Sequence, residues 1–259
     1  MKLHRIYAVL LKSFYVTKRS PDRMADMFYW AAIDLVVWGL TSSYFTSLAP
    51  KSNILAIIIS GILFWVIIWR GQQEITVNLL EDLWNRNLVN VFVSPFTFSE
   101  WVVSFLIVSF IKAGMSFLIA CGIAIMLYGV NVFTYGLYII PFILILLLTA
   151  WGVGIFITGL IVRFGQRVQN LAWSFVSIVA PFSAIYYPLT ILPKWAQVIA
   201  RVFPTSYIFT EIHNVIQKKP VDNASLEISV LLSIVYMVLA LWFLYASFQS
   251  QLKKGLLHV

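Results

Sequence analysis

Six stretches of the chain, 27–48, 54–70, 101–128, 135–162, 171–188 and 226–248, carry few charges and are dominated by Leu, Ile, Val, Phe and Trp. A hydrocarbon core about 30 Å thick takes roughly 20 such residues as an α-helix, so each stretch predicts a membrane span. The 101–128 and 135–162 stretches are long enough to tilt or to project from the bilayer. The 171–188 stretch is short and holds Pro181 and Pro188, which disfavour one straight helix. Ahead of all of them, Leu3, Ile6, Tyr7, Leu10 and Phe14 recur at helical spacing, with Lys2, Arg5 and Lys12 among them. That pattern predicts, within 1–26, a helix lying in the headgroup layer with its apolar face down. An amphipathic helix packed on a cytoplasmic partner satisfies the same spacing. The predicted fold class is all-α: one polytopic membrane domain over 1–259, with six transmembrane helices and an N-terminal interfacial helix.

Two connections are too long to be turns. The stretch 71–100 holds Glu74, Glu81, Asp82 and Arg86, with Leu79, Leu80, Leu83, Trp84 and Leu88 between them. Asp82 and Arg86 stand at i, i+4 and can pair on one helix face. Leu80, Leu83, Trp84 and Leu88 form an apolar stripe beside them, and Ser94-Pro95 ends the helix. A short charged amphipathic helix in the cytoplasm has the shape of a docking element, and a solvated loop helix reads equally well. The stretch 189–225 follows Pro188 and is punctuated by Pro193, Pro204 and Pro220, leaving apolar pieces at 194–203 and 205–217. Each is too short to cross, which predicts re-entrant or interfacial segments outside the membrane's far face, with plain extracellular helices as the alternative.

Composition sharpens the class. The 259 residues are 61% hydrophobic and only 11% charged, with mean hydropathy +0.90, against about 25% charged residues in soluble domains. The net charge is +8. Six cations, Lys2, Arg5, Lys12, Lys18, Arg19 and Arg23, precede the first long apolar run and suit anionic headgroups. With the N-terminus inside, they join Arg70, Arg86, Arg163, Arg167, Lys253 and Lys254, against Lys51, Lys194, Arg201, Lys218 and Lys219 outside. This excess predicts both termini in the cytoplasm. Trp30, Trp69, Trp101 and Tyr128 at span boundaries fit an interfacial aromatic belt. The first apolar run begins too late, and lacks the small-residue site, for a cleaved signal peptide. A single cysteine, Cys121, excludes an internal disulfide framework. No soluble basic patch with stacking aromatics exists, so no nucleic-acid partner is expected.

Two charges fall inside predicted spans: Asp34 in the first and Lys112 in the third. Each costs about 2.5–3.5 kcal/mol on insertion scales, so both should face protein or water. They are expected to pair between these spans or to face one another across a dimer seam. Alternatively, Lys112 snorkels and Asp34 bonds a neighbouring hydroxyl. No catalytic residues are expected. His4, His213 and His258 are scattered, no His/Cys cluster offers metal ligands, and no Gly-x-x-x-x-Gly-Lys-Ser/Thr loop is present to hold nucleotide.

Two motifs carry a family resemblance. Leu79-Leu80-Glu81-Asp82-Leu83-Trp84-Asn85-Arg86-Asn87-Leu88 through Val93-Ser94-Pro95 resembles the coupling segment of type-2 ATP-binding-cassette permeases. Tyr187-Pro188 through Leu192-Pro193-Lys194-Trp195 to Phe203-Pro204 is similar to their outer motif. The likeness implies one permease half of an exporter in a bacterial inner membrane, paired with a second copy and embedded among membrane lipids. It implies a separate ATPase subunit that binds ATP and Mg, with no cofactor on this chain. It assigns Glu81, Asp82, Trp84 and Arg86 to ATPase coupling, and Pro188, Pro193, Trp195 and Pro204 to an outer gate. An amphipathic or lipid-like substrate is expected. A polysaccharide or lipid-linked glycan is the alternative, since the 16% aromatic residues stack on sugar rings as well as on flat apolar molecules. A membrane assembly or regulatory subunit that moves nothing is the reading from another class.

Overall fold

A computed structural model describes residues 2–49, 53–85 and 97–253. The described residues form α-helices and short 3₁₀ turns with no strand. The helices are α1 (Leu3–Arg19), α2 (Pro21–Leu48), α3 (Ile54–Trp84), α4 (Phe98–Tyr128), α5 (Ile139–Phe164), α6 (Leu171–Val179), α7 (Lys194–Ala200), α8 (Pro204–Ile216) and α9 (Asn223–Lys253). Four stretches are long and apolar enough to cross a membrane: Ile54–Trp84, Phe98–Tyr128, Val132–Val168 and Asn223–Gln251. The chain is thus a multi-pass membrane protein. α2 has 28 residues but is less apolar, carrying Asp22, Arg23, Asp26 and Asp34.

α3 is the centre of the bundle, packing against α2, α4 and α5, while α9 lies along α5. The expected second span ended at Arg70, where charges begin. Instead α3 runs unbroken for 31 residues, about 46 Å. Residues 71–84 therefore continue that helix, and 71–76 are buried in the bundle. Helix geometry is local, so charges do not end it once their partners sit on neighbouring helices. Residues 86–96, with Arg86, Leu88 and Ser94-Pro95, lie outside the described residues.

The expected fifth span is also shorter. α6 has nine residues, about 14 Å, and passes into a 3₁₀ turn at Ala180–Phe182. Pro181 has no N–H for a further helical bond, and Ala184 turns left-handed at φ 56°. The loop then packs so tightly on α3 that a Cβ on Gly61 would lie 2.3 Å from the Ile185 carbonyl oxygen.

Thr97 and Glu100 start α4 with a reciprocal capping box. Glu100 also accepts the Lys2 backbone N–H at 2.7 Å and Arg5 Nη1 at 3.2 Å, which fixes the start of α1 on α4. The apolar interior has two parts. One is built around Ile59, Leu63, Phe64, Phe142 and Phe209, the other around Leu79, Leu80, Phe105 and Ile157. Between them α3 presents Arg70, Gln72, Gln73, Glu74 and Thr76.

Gly61→Val should lower thermal stability in detergent by about 1–3 kcal/mol, because backbone blocks the added carbon. Gly114→Ala, where a Cβ meets nothing within 4 Å, is the control and should leave the melting temperature unchanged or slightly raised.

Candidate functional site

The polar layer of α3 holds a chain of buried ion pairs. Arg70 Nη1 lies 2.7 Å from Asp26 Oδ2 on α2 and 3.7 Å from Glu74 Oε1 one turn along α3. Glu74 Oε2 lies 2.7 Å from Lys112 Nζ on α4. Arg70 also donates to the Asp26 carbonyl and to Gln73 Oε1. Two cations and two carboxylates alternate, so the chain is formally neutral and each buried charge has an opposite neighbour. Hydrogen bonds extend the layer to neighbouring helices. Gln72 Nε2 donates to the Ala172 carbonyl of α6 at 3.1 Å, and Ser109 on α4 donates to the Gly71 carbonyl at 2.7 Å.

This overturns the expected Asp34–Lys112 pair within the bundle. Ser116 donates to the Met27 carbonyl and Tyr128 to the Val36 carbonyl, so α2 and α4 run parallel. In that register Asp34 lies beyond Met27 while Lys112 lies before Ser116, a gap of about 16 Å along the axis. Lys112 instead meets Glu74, which the unbroken α3 carries to its level. Among the described residues Asp34 has no hydrogen bond and no ion pair.

Asp34 faces a cavity of about 590 Å³ between α2, α3 and the α6 region. Asp26 and Trp30 line it from α2, Trp65, Trp69 and Arg70 from α3, and Trp173 and Tyr186 from the far side. Tyr186 stacks on Trp38, with ring centroids 4.8 Å apart. Asp26, Trp30, Asp34 and Trp38 recur every four residues and so form one slowly turning stripe along α2. That spacing, and the i, i+4 spacing of Arg70 and Glu74, were the sequence signals for this site. Of the charges gathered here, the sequence marks only Asp34 and Lys112 as lying within predicted spans.

The residues assigned to coupling are placed at the far end of α3. Glu81 pairs with Arg23 of α2, and Asp82 with Lys12 of α1. Trp84 is exposed, donates Nε1–H to Gln169 Oε1 at 3.1 Å and stacks parallel to Trp173. Asp82 therefore fastens the N-terminal helix to α3, and Glu81 fastens the start of α2. Arg86 lies outside the described residues.

The assigned outer-gate residues differ in burial. Pro188 and Pro193 are exposed, and Trp195 is exposed with its ring edge-on to Phe182. Pro204 alone of the four is buried, starting α8, and its carbonyl accepts the Ser229 hydroxyl of α9 at 2.8 Å. α8 sends Ile208, Phe209 and Ile212 into the main apolar core. Behind it, Asp222 caps α9. Bonds from the Ser225 hydroxyl and the Ala224 N–H hold its carboxyl below the usual range.

A double-mutant cycle checks the ion-pair chain. Glu74→Gln and Lys112→Gln should each cost about 3–5 kcal/mol, as expected for a buried charge left unpaired. Together they should cost clearly less than the sum. Asp34→Asn combined with Lys112→Gln should be additive in thermal stability.

The cavity, the neutralised polar layer and the long apolar helices belong to a membrane component, and none of these parts resembles a nucleotide site. A comparison with curated proteins found no match. A comparison with protein-family models matched residues 5–216 to the ABC-2 type transporter family. That match takes in every helix from α2 to α8 and most of α1, and on it the chain belongs to the ABC-2 type transporter family, as a membrane-spanning permease component.

Proposed function

We propose that this chain is the transmembrane half of an ATP-driven exporter of amphipathic or lipid-like molecules in a bacterial inner membrane. The observation that carries the reading is the 590 Å³ cavity, lined by tryptophans and open between α2, α3 and α6, in a chain of the ABC-2 type transporter family. Volumes of about 300–1,000 Å³ suit small organic ligands. Two copies meeting across α2 and α6 would enclose a shared pathway. Exposed Val36, Val37, Leu40 and Ile178 offer apolar surface for that contact.

In this reading α2, α3, α4, α5, the α6 region and α9 are six spans, with both termini in the cytoplasm. The α6 region is completed by the loop that follows it. The stretch 189–225 is then the outer re-entrant segment, with α8 dipping into the bundle and the region around Pro188, Pro193, Trp195 and Pro204 forming the outer mouth. ATP and Mg are bound by a separate ATPase subunit, and this chain supplies pathway and gate without a cofactor of its own.

The ATPase docks where α1 meets the end of α3. Motion of the docked subunit would act on α1, the start of α2 and α3 together, since Lys12–Asp82 and Arg23–Glu81 tie them. α3 then carries the displacement into the cavity wall at Trp65 and Trp69.

Co-purification from native membranes tests this. The tagged chain should bring down an ATP-hydrolysing subunit, and replacing Glu81 and Asp82 with Lys should reduce recovery about tenfold, ~1.4 kcal/mol, with self-association preserved. Undiminished ATPase recovery in the double variant would place the docking site elsewhere. Failure of the native chain to recover any ATPase would sink the exporter reading.

A further inference from the structure

Asp34 stands halfway along α2, facing the cavity, and has neither hydrogen bond nor ion pair among the described residues. A carboxylate at this depth is costly, and such groups persist where they meet a counter-charge or a solvated pathway. No counter-charge comes from the described residues. Arg70 is held by Asp26 and Glu74, and Lys112 by Glu74. A second copy would bring the same two intramembrane cations, each already paired within its own chain.

The surroundings of Asp34 select for positive charge. Trp30 lies one helical turn before it and Trp38 one turn after, on the same stripe of α2. Trp65 and Tyr186 also line the cavity. Indole and phenol faces carry negative potential and attract cations, by about 0.5–2 kcal/mol depending on desolvation. The charged groups lining the cavity are Asp26, Asp34 and Arg70, and the Asp26–Arg70 contact at 2.7 Å cancels two of them. Asp34 remains, giving the lining a formal charge of −1.

We propose that the cavity binds an amphipathic organic cation, with the Asp34 carboxylate as its counter-charge and the tryptophans holding its apolar body. A bare metal ion fits poorly, since hard cations want about six oxygen ligands and the wall is aromatic. An anionic headgroup would meet Asp34 unshielded, with Arg70 already engaged. The proposal names the substrate class of the exporter reading and rests on it for transport, though binding stands on the cavity alone. The ammonium could belong to a soluble compound or to an amino-phospholipid; both share the recognised chemistry.

The probe is tetraphenylphosphonium against tetraphenylborate, two ions of like shape and opposite charge. Binding is measured by equilibrium dialysis on the purified full chain in dodecyl maltoside, an uncharged detergent. The native chain should bind the phosphonium at least about tenfold more tightly than the borate. Asp34→Asn should weaken phosphonium binding about tenfold, the scale of losing one desolvated charge contact, and leave borate binding unchanged or tighter. Asp34→Glu should keep the preference. Adding phosphatidylethanolamine identifies the source: competition points to a lipid ammonium, its absence to a soluble cation.

Equal binding of the two ions by the native chain, or an unchanged preference in Asp34→Asn, overturns the proposal. Loss of folding in Asp34→Asn does so too, because it would reveal an internal partner for the carboxylate. Dialysis needs no ATPase, so a missing ATPase defeats the exporter reading without touching this result. An ATPase-coupled chain with no cation preference defeats only this inference.

Discussion

Glu74 lies between Arg70 and Lys112 as their shared counter-charge in the buried layer of the bundle, and the placement of α2, α3 and α4 follows from that neutralisation. An unpaired charge at this depth would cost several kcal/mol, so the three helices must bring these side chains within contact of one another. Asp26 completes the chain from α2. With the charges matched, α3 continues through a polar layer in mid-helix and the apolar interior divides into two parts, one on either side.

The same device recurs at the end of α3. Lys12 with Asp82 and Arg23 with Glu81 hold α1 and the start of α2 on α3, while Glu100 takes the first residues of α1. An N-terminal helix that composition alone would leave floating on headgroups is thus tied to the two helices that line or flank the cavity. Ile6 packs inward, while Tyr7 and Phe14 of its apolar positions remain exposed. Surface ion pairs contribute little singly, yet two acidic anchors, Asp82 and Glu100, acting on one short helix fix its place. This gives a mechanical route from one end of the molecule to its middle.

The cavity inverts the logic of the ion-pair chain. Around Glu74 every charge is matched within the fold; at Asp34 one is left over, among aromatic side chains that cannot neutralise it. Stability alone would favour a residue without charge there. A position that violates the rule its neighbours obey is where function is to be sought.

Whatever depends on local composition was legible along the chain. Long apolar runs made the chain an all-helical membrane protein, Pro181 marked the break in the fifth run, and the motifs around Glu81 and Pro193 pointed to the family that the match over residues 5–216 bears out. Part of the site was legible as well, since Asp34 and Lys112 stand out as charges within apolar runs. Tertiary structure decided the rest. Arg70 and Glu74 read as the end of a span because hydropathy counts charges one by one, whereas their cost depends on partners contributed by Asp26 and Lys112. Glu81 and Asp82 read as outward-facing docking residues, and their contacts with Arg23 and Lys12 link segments far apart in the chain. Lys112 could not be matched to Glu74 rather than Asp34 without knowing how far α4 slides along α2. That register is set by side-chain packing between helices and leaves no periodic mark in either one, so the pairing of charges existed only once the helices were in place.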